Sequence, residues 1–117
     1  MAIGDTAQRQ MSLEVQVAVA ADWHTIRLAG DLDVASKGLL DDAVAGVAAS
    51  ARRITLDLTS LRFMDSTGVR AIVDLNERCA RDGVEVRIIR GPKAVQRVFE
   101  LLGLLDVLPF QDKLTEA

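Results

Sequence analysis

Apolar residues recur along this chain at two different spacings, and segments of the two kinds alternate. Around residues 13–19 and 25–29 they occupy every second position, as in half-buried strands, and later strand-like segments alternate with segments of helical spacing. Strands separated by helices join through right-handed crossovers into a parallel arrangement, whereas the first two strands are close enough to form a hairpin. The pattern predicts an α/β domain: a mixed sheet of four to five strands, an N-terminal antiparallel hairpin and helices on the crossover connections.

The helical segments have identifiable ends. Helical spacing covers residues 34–49 and 69–81, and Gly91-Pro92 is predicted to start a third helix with proline at its first position. Gly103 fits the C-terminal cap of that helix. The predicted strands between and after these helices are residues 54–58, 84–89 and, as a short edge strand, 104–110.

The length of the chain, 117 residues, suits a single hydrophobic core. We expect a flexible N-terminal extension at residues 1–11, one domain at 12–112 and a polar C-terminal tail at 113–117. The apolar stretches are shorter than a membrane span, and the first ten residues lack the apolar block of a secretory signal. A cytoplasmic protein without membrane insertion is expected.

Charge and rare residues exclude several classes of function. The net charge is −3, which disfavours nucleic acid as a partner. Cys79 and His24 are the single cysteine and histidine, so neither an internal disulfide nor a transition-metal site is expected. Cys79 is predicted to fill space in the core and His24 to have a packing or surface role. Asp31 and Asp33 suggest a hard-cation site, but without further oxygen ligands nearby we favour a solvated turn.

The turn Asp65-Ser66-Thr67-Gly68 is the main candidate for a functional site. It follows an apolar strand and opens a helix, and sites in open α/β sheets lie where strands end and helices begin. Ser66 or Thr67 could cap the N–H groups of the first helical turn. Ser66 could also accept a phosphate, which the positive end of the helix would tolerate. The local sequence allows both interpretations.

Three stretches of the chain closely resemble one protein family. They are GDLD at residues 30–33, LTSLRFMDSTGVRAIVDL at 58–75 and GPKAVQRVFELLGLLDVL at 91–108. The chain resembles an anti-sigma factor antagonist, a stand-alone domain of the sulfate transporter and anti-sigma factor antagonist (STAS) class. The resemblance covers about residues 13–110 and implies a STAS-like fold and a regulator of bacterial transcription.

This resemblance implies that Ser66, directly after the aspartate of the turn, is phosphorylated by a serine protein kinase that is also the anti-sigma factor. The unphosphorylated protein would bind this kinase and release the sigma factor, and a serine phosphatase would restore the serine. Asp33, Asp65, Thr67 and Gly68 are expected to surround the phosphorylation site. Neither a cofactor nor catalytic activity is expected.

Arg70 departs from the family pattern, which commonly has a small residue at this position. A long cation one turn into the helix could contact a phosphate, narrow the choice of kinase, or pair with Asp74. We favour the pair with Asp74 as the simplest of the three interpretations.

Two other functions compete with the antagonist. A serine hydrolase needs a base beside Ser66, and the single histidine is distant in the sequence. A STAS subunit of a lipid-transport or stress-signalling complex would keep the fold but not the switch. If the switch operates, we expect the phosphate to block an interface and to leave the domain folded, because like charges facing each other cost several kcal/mol at an interface.

Overall fold

The structure is a computed structural model that describes residues 13–112. The predicted extension at 1–11 and the predicted tail at 113–117 lie outside the described residues. The elements are β1 (Leu13–Ala20), β2 (Trp23–Leu32), α1 (Lys37–Ala48), β3 (Arg53–Met64), α2 (Ser66–Arg81), β4 (Glu85–Ile89), α3 (Lys93–Leu101) and β5 (Phe110–Gln111).

The strands lie in the sheet in the order in which they occur in the chain. β1 pairs antiparallel with β2, and each later strand pairs parallel with the one before it. Parallel crossovers are right-handed almost without exception, so three that step in the same direction are expected to place their helices on one face of the sheet. Contacts between α1 and α2 and between α2 and α3 agree with a single layer of helices. The predicted mixed sheet with an N-terminal hairpin is therefore confirmed, with five strands.

The hydrophobic core lies between the sheet and this layer of helices. The alternation that predicted the strands identifies its members, because Ile26 and Leu28 of β2 are fully buried while Arg27 between them is exposed. Cys79 is buried in α2, as predicted for a core residue. The largest fully buried side chains are Phe99, Ile26, Leu28, Leu32, Leu40, Ile54, Leu56, Leu58, Leu61, Ile72, Ile88 and Val95.

The opposite face of the sheet bears polar and charged side chains. The guanidinium group of Arg87 lies 3.6 Å from the centre of the Trp23 ring, and its Nε donates a hydrogen bond to Thr55 Oγ1 at 2.7 Å. Arg27 Nε lies 3.3 Å from Asp57 Oδ2 on the neighbouring strand. Opposite charges on adjacent strands thus stabilise a face that no described helix covers.

Several element ends differ from the predicted ones. The first helix begins at Lys37 and not at residue 34, because a hydrogen-bonded turn occupies residues 33–36. The third helix begins at Lys93, so Pro92 is the residue before the helix and not its first residue. Gly103 has a φ of +73°, as a glycine that ends a helix requires.

Two strands also differ in length. The predicted edge strand at residues 104–110 is reduced to Phe110–Gln111, because residues 105–107 form a turn that closes on Leu104. β3 extends well past the predicted residues 54–58 and ends at Met64. This longer strand ends directly before the turn that contains Ser66.

Candidate functional site

The turn that contains Ser66 lies at the carboxyl ends of two neighbouring parallel strands. Met64, the last residue of β3, pairs with Leu32, the last residue of β2. The N–H of Asp65 then donates to the carbonyl oxygen of Leu32 at 3.4 Å. This bond holds the start of α2 against the end of β2 and fixes the position of Ser66 relative to the sheet.

Asp65 caps α2. Its backbone is extended, with φ −109° and ψ −171°, and its Oδ1 accepts a hydrogen bond from the N–H of Gly68 at 3.1 Å. An aspartate in this geometry is a strong helix N-cap, because it accepts from one of the N–H groups that have no partner within the helix. The interpretation in which Ser66 or Thr67 caps the helix is wrong, since both already belong to the helix.

Ser66 is the first residue of α2 and is exposed. Its hydroxyl group forms no hydrogen bond with any residue between 13 and 112. Thr67, the next residue, is half-buried. The Ser66 hydroxyl is therefore accessible to another molecule and has no structural task among the described residues.

Gly68 allows α2 to approach the sheet closely. A Cβ atom at this position would lie 2.7 Å from the carbonyl oxygen of Leu32 and 2.6 Å from Cγ of Met64. Both distances are far below normal contact, so any larger residue would push the helix away from the strands. Gly68 is thus needed because there is no room for a side chain, and it allows the first turn of α2 to pack against the ends of β2 and β3.

Asp33 begins the neighbouring turn. It follows Leu32 as Asp65 follows Met64, so the two aspartates leave the sheet from adjacent strand ends. Its Oδ1 accepts hydrogen bonds from the N–H groups of Ala35 and Ser36, both at 3.1 Å. The acidic residues that the family resemblance places beside Ser66 therefore begin adjacent turns at the carboxyl ends of β2 and β3.

Ser36 supports this turn and was missed in the sequence. It is buried, its hydroxyl accepts from the N–H of Asp33 at 3.0 Å, and the same hydroxyl donates to the carbonyl oxygen of Asp31 at 2.8 Å. The spacing Asp-x-x-Ser just before a helix is a signal that could have identified it. Ser36 therefore fixes the path of the chain between β2 and α1.

Asp31 is fully buried, with 0% exposure, so the predicted solvated turn is wrong. Its Oδ1 lies 3.2 Å from Nε of Arg62, and its Oδ2 has no hydrogen-bond partner within the described part of the chain. Residues 13–112 contain no group of three or more side chains suited to a metal ion. The carboxyl group of Asp31 is thus buried beside Arg62, two residues before Asp33.

Arg70 lies four residues after Ser66, which places the two on the same face of α2. It is exposed, and its side chain forms no ion pair or hydrogen bond with another residue of the segment that the structure describes. The pair with Asp74 that we favoured is therefore absent from the structure. Arg70 can reach toward a group attached to Ser66.

Three apolar residues close in the chain to the turns of Asp33 and Asp65 are exposed. Val34 directly follows Asp33, Leu39 lies in the first turn of α1, and Phe63 stands two residues before Asp65; all three are exposed. Exposed apolar side chains that lie close together can form part of a protein-binding surface. Sequence periodicity did not reveal them, because it distinguishes the faces of an element but not which part of a face remains uncovered.

The histidine is not placed to activate Ser66 as a nucleophile. His24, the single histidine of the chain, lies near the amino end of β2, and Ser66 follows the carboxyl end of β3. The eight residue-to-residue steps from His24 to Leu32 span about 26 Å of strand. The imidazole is therefore far outside hydrogen-bond reach of the hydroxyl group.

Within residues 13–112, the helices are all too short or too polar to span a membrane.

A family model and a similar curated protein match this chain. The STAS domain family model matches residues 14–117. The anti-sigma-F factor antagonist RsfA of Mycobacterium tuberculosis is 33% identical over 87 residues, which cover 72% of this chain and 68% of RsfA.

Two solved structures show the same fold. The anti-sigma factor antagonist from Mycobacterium paratuberculosis matches with a TM-score of 0.79 and 21% identity over 87% of each chain. The phosphorylated form of the Bacillus cell fate determinant SpoIIAA matches with a TM-score of 0.68 and 19% identity, covering 86% of this chain and 92% of that one.

Proposed function

The chain belongs to the STAS domain family, and we propose that it acts as an anti-sigma factor antagonist that phosphorylation of Ser66 switches off. In this proposal the unphosphorylated protein binds an anti-sigma factor that is also a serine protein kinase, and the sigma factor is released. A serine phosphatase reverses the modification. The protein is the substrate in both reactions and contributes no catalytic group.

The accessibility of the Ser66 hydroxyl is the observation that best supports this proposal. Asp65 caps α2, so Ser66 is exposed at the first helical position without a hydrogen bond to the described residues. A hydroxyl at this position can enter a kinase active site without breaking any described interaction of the domain. The adjacent N–H groups at the start of the helix favour a negatively charged group.

The charge of a phosphate explains how the switch would work. Phosphorylation adds a charge of about −1.5 to −2 at neutral pH, next to Asp65 and one strand from Asp33. The helix N-terminus offsets the repulsion by about 0.3 to 2 kcal/mol, which is enough to keep the domain folded. At a docked partner the same charge loses its water, and a mismatch there costs several kcal/mol, so affinity falls by orders of magnitude.

The exposed apolar residues around Ser66 supply the surface for the partner. Val34, Leu39 and Phe63 are exposed and lie close in the chain to the turns of Asp33 and Asp65. A partner seated on these side chains would lie directly over Ser66. Binding and phosphorylation would then use the same surface, as expected if the binding partner is itself the kinase.

The proposal is tested by using Ser66→Ala and Ser66→Asp proteins as baits in lysate of the source organism and identifying the captured proteins by mass spectrometry. We expect Ser66→Ala to retain an ATP-binding serine kinase. The amount of this kinase captured by Ser66→Asp should be lower by at least about tenfold, since each 1.4 kcal/mol is a factor of ten in affinity. Ser50→Asp is the matched control, because it adds the same charge in an exposed turn at the other end of β3.

Retention of the same transport or stress-complex proteins by all three baits would contradict the switch and favour a STAS subunit of such a complex. A second contradictory result would be phosphate at a residue other than Ser66 after incubation with the captured kinase and ATP.

We further propose that Arg70 contacts the phosphate on Ser66. A residue four positions further along a helix faces the first one, and a guanidinium group binds phosphate with paired hydrogen bonds. Phosphorylation should therefore raise the melting temperature more in the natural protein than in an Arg70→Ala variant, measured on protein with phosphoserine installed at position 66. Equal shifts in the two proteins would exclude this contact.

A further inference from the structure

β1 forms a long edge of the sheet. Its eight residues pair with β2 in one continuous register without a bulge, and its other side pairs with nothing in the described chain. Natural edge strands are protected from pairing with other chains by bulges, prolines, lysines or inward charges. β1 has none of these features, and Glu14 is its single charged residue. It is therefore an open template for another strand.

The apolar residues of β1 become more exposed along the strand. Leu13, Val15, Val17 and Val19 point to the same face as the buried Ile26 and Leu28 of β2. Leu13 is 5% exposed and Val15 is half-buried, whereas Val17 is 47% and Val19 62% exposed. The helical layer thus covers the start of β1 and leaves its end uncovered.

We propose that β1 pairs with β1 of a second copy of this chain, antiparallel, with a two-fold axis through Val17. Such an axis perpendicular to the sheet keeps the two helical layers on one face. Val17 then faces Val17 of the second copy, and Val15 faces Val19. The covered start of each strand lies beside the uncovered end of the other, so both exposed valines become buried.

The opposite face of β1 also fits a second copy. With Val17 on the axis, Glu14 faces Ala20 and Gln16 faces Ala18. No charge meets a like charge, which would destabilise the pairing. The strand can thus pair with itself through its backbone without a charge clash, and a two-fold interface requires a surface that can meet itself in this way.

The paired edge is separate from the proposed switch. Ser66 follows β3, and β2 lies between β3 and the paired edge. Each copy therefore keeps its Ser66 site open, and the ten strands of the two copies form one continuous sheet. We expect Ser66→Asp to leave the pairing unchanged.

The mass of the full chain in solution tests the pairing. Analytical ultracentrifugation should give twice the 12.7 kDa of one chain for the natural protein and 12.7 kDa for Val17→Lys. Gln16→Thr is the control, because it changes the neighbouring residue of the same strand on the opposite face without adding a charge, and it should keep the doubled mass. Circular dichroism would show that both variants are folded.

A cysteine placed on the two-fold axis tests the register and does not require a destabilising charge. Directly opposite Cα atoms in antiparallel strands lie about 4.5 to 5.5 Å apart, within the range that a disulfide spans. Val17→Cys should therefore cross-link into a dimer under mild oxidation, whereas Ala18→Cys, which faces Gln16, should not. Cys79 should stay unreacted, because burial and the charge of Asp82 raise the pKa of its thiol.

Three results would overturn the proposal. The first is a single-chain mass for the natural protein at all concentrations, as expected if residues 1–12 or another protein occupied the edge. The second is an unchanged doubled mass for Val17→Lys. The third is cross-linking through Ala18→Cys in place of Val17→Cys.

Discussion

Asp65 and Ser66 are neighbours in the chain, but they have separate tasks. The Asp65 carboxylate accepts the hydrogen bond that starts α2, and the Ser66 hydroxyl accepts none from the described residues. A serine that capped its own helix would have to give up this bond to be phosphorylated. With Asp65 as the cap, Ser66 can be modified without a loss of helix stability.

This separation predicts different stability effects at the two positions. Asp65→Ala should lower the free energy of unfolding by about 1 kcal/mol, because the N–H of Gly68 loses its partner. Ser66→Ala should change it by less than about 0.5 kcal/mol, as usual for exposed positions. Urea unfolding followed by circular dichroism measures both values. A loss at Ser66→Ala as large as that at Asp65→Ala would show that the serine stabilises the helix after all.

The sequence identified the turn but not which of its residues caps the helix. A strand followed by Asp-Ser-Thr-Gly and a helical pattern indicated a helix start, and the structure confirms it. Aspartate, serine and threonine are all good caps, so residue type could not decide among them. The backbone conformation decides, because Asp65 alone of the three is extended while Ser66 and Thr67 are already helical.

Glycines in the helices differ in what surrounds them. Gly68 in α2 touches the ends of two strands, whereas Gly46 in α1 has no atom within 4 Å of the position where a Cβ would lie. Both positions are helical, so an alanine would suit the backbone at either one. Packing against the sheet alone should distinguish them.

Alanine at these two glycines should therefore have opposite effects. Gly68→Ala should destabilise the domain by about 2 kcal/mol, because the added methyl group must displace the end of β2 or of β3. Gly46→Ala should stabilise it by about 0.5 to 1 kcal/mol, the ordinary gain in a helix interior. Thermal unfolding of the two variants tests this. A stabilising Gly68→Ala would mean that α2 is not held closely against the strands.

The length of β3 could not be predicted from periodicity. Its pairing with β2 shifts between Arg27 and Ala29 and again between Gly30 and Asp31. Each shift breaks the two-residue alternation, so the buried residues Leu58, Leu61 and Met64 recur every third position. A rule that expects alternation therefore ends the strand too early, although the residues up to 58 were assigned correctly.

The molecule as a whole has one helical layer on one sheet. Its proposed switch lies at the carboxyl ends of β2 and β3, where the chain leaves the sheet for the helices. Ser66 is exposed at these strand ends, outside the core. A charge added there stays in water while no partner is bound. The architecture of the domain should therefore stay the same on phosphorylation, with local changes confined to the first turn of α2 and the turn of Asp33, and the main effect should be on binding.

This expectation is tested by amide hydrogen exchange of the unphosphorylated and phosphorylated proteins. Core amides of β2, β3 and β4 should exchange at equal rates in both forms, with changes limited to the first turn of α2 and the turn of Asp33. Ser50→Asp gives the reference for a remote charge. A change of more than about tenfold across the core strands, equivalent to 1.4 kcal/mol, would show that the domain itself is remodelled.

Trp23 is the single tryptophan of the chain and begins β2 on the uncovered face, where the guanidinium groups of Arg87 and Arg53 lie 3.6 and 5.6 Å from the centre of its ring. Ser66 lies beyond the other end of the same sheet. The fluorescence emission of Trp23 should therefore change when the protein unfolds and stay the same when the Ser66 turn is modified. Kinase, phosphatase and anti-sigma factor titrations would need a fluorophore placed near the turn, and Trp23 would serve as their built-in reference for an intact fold.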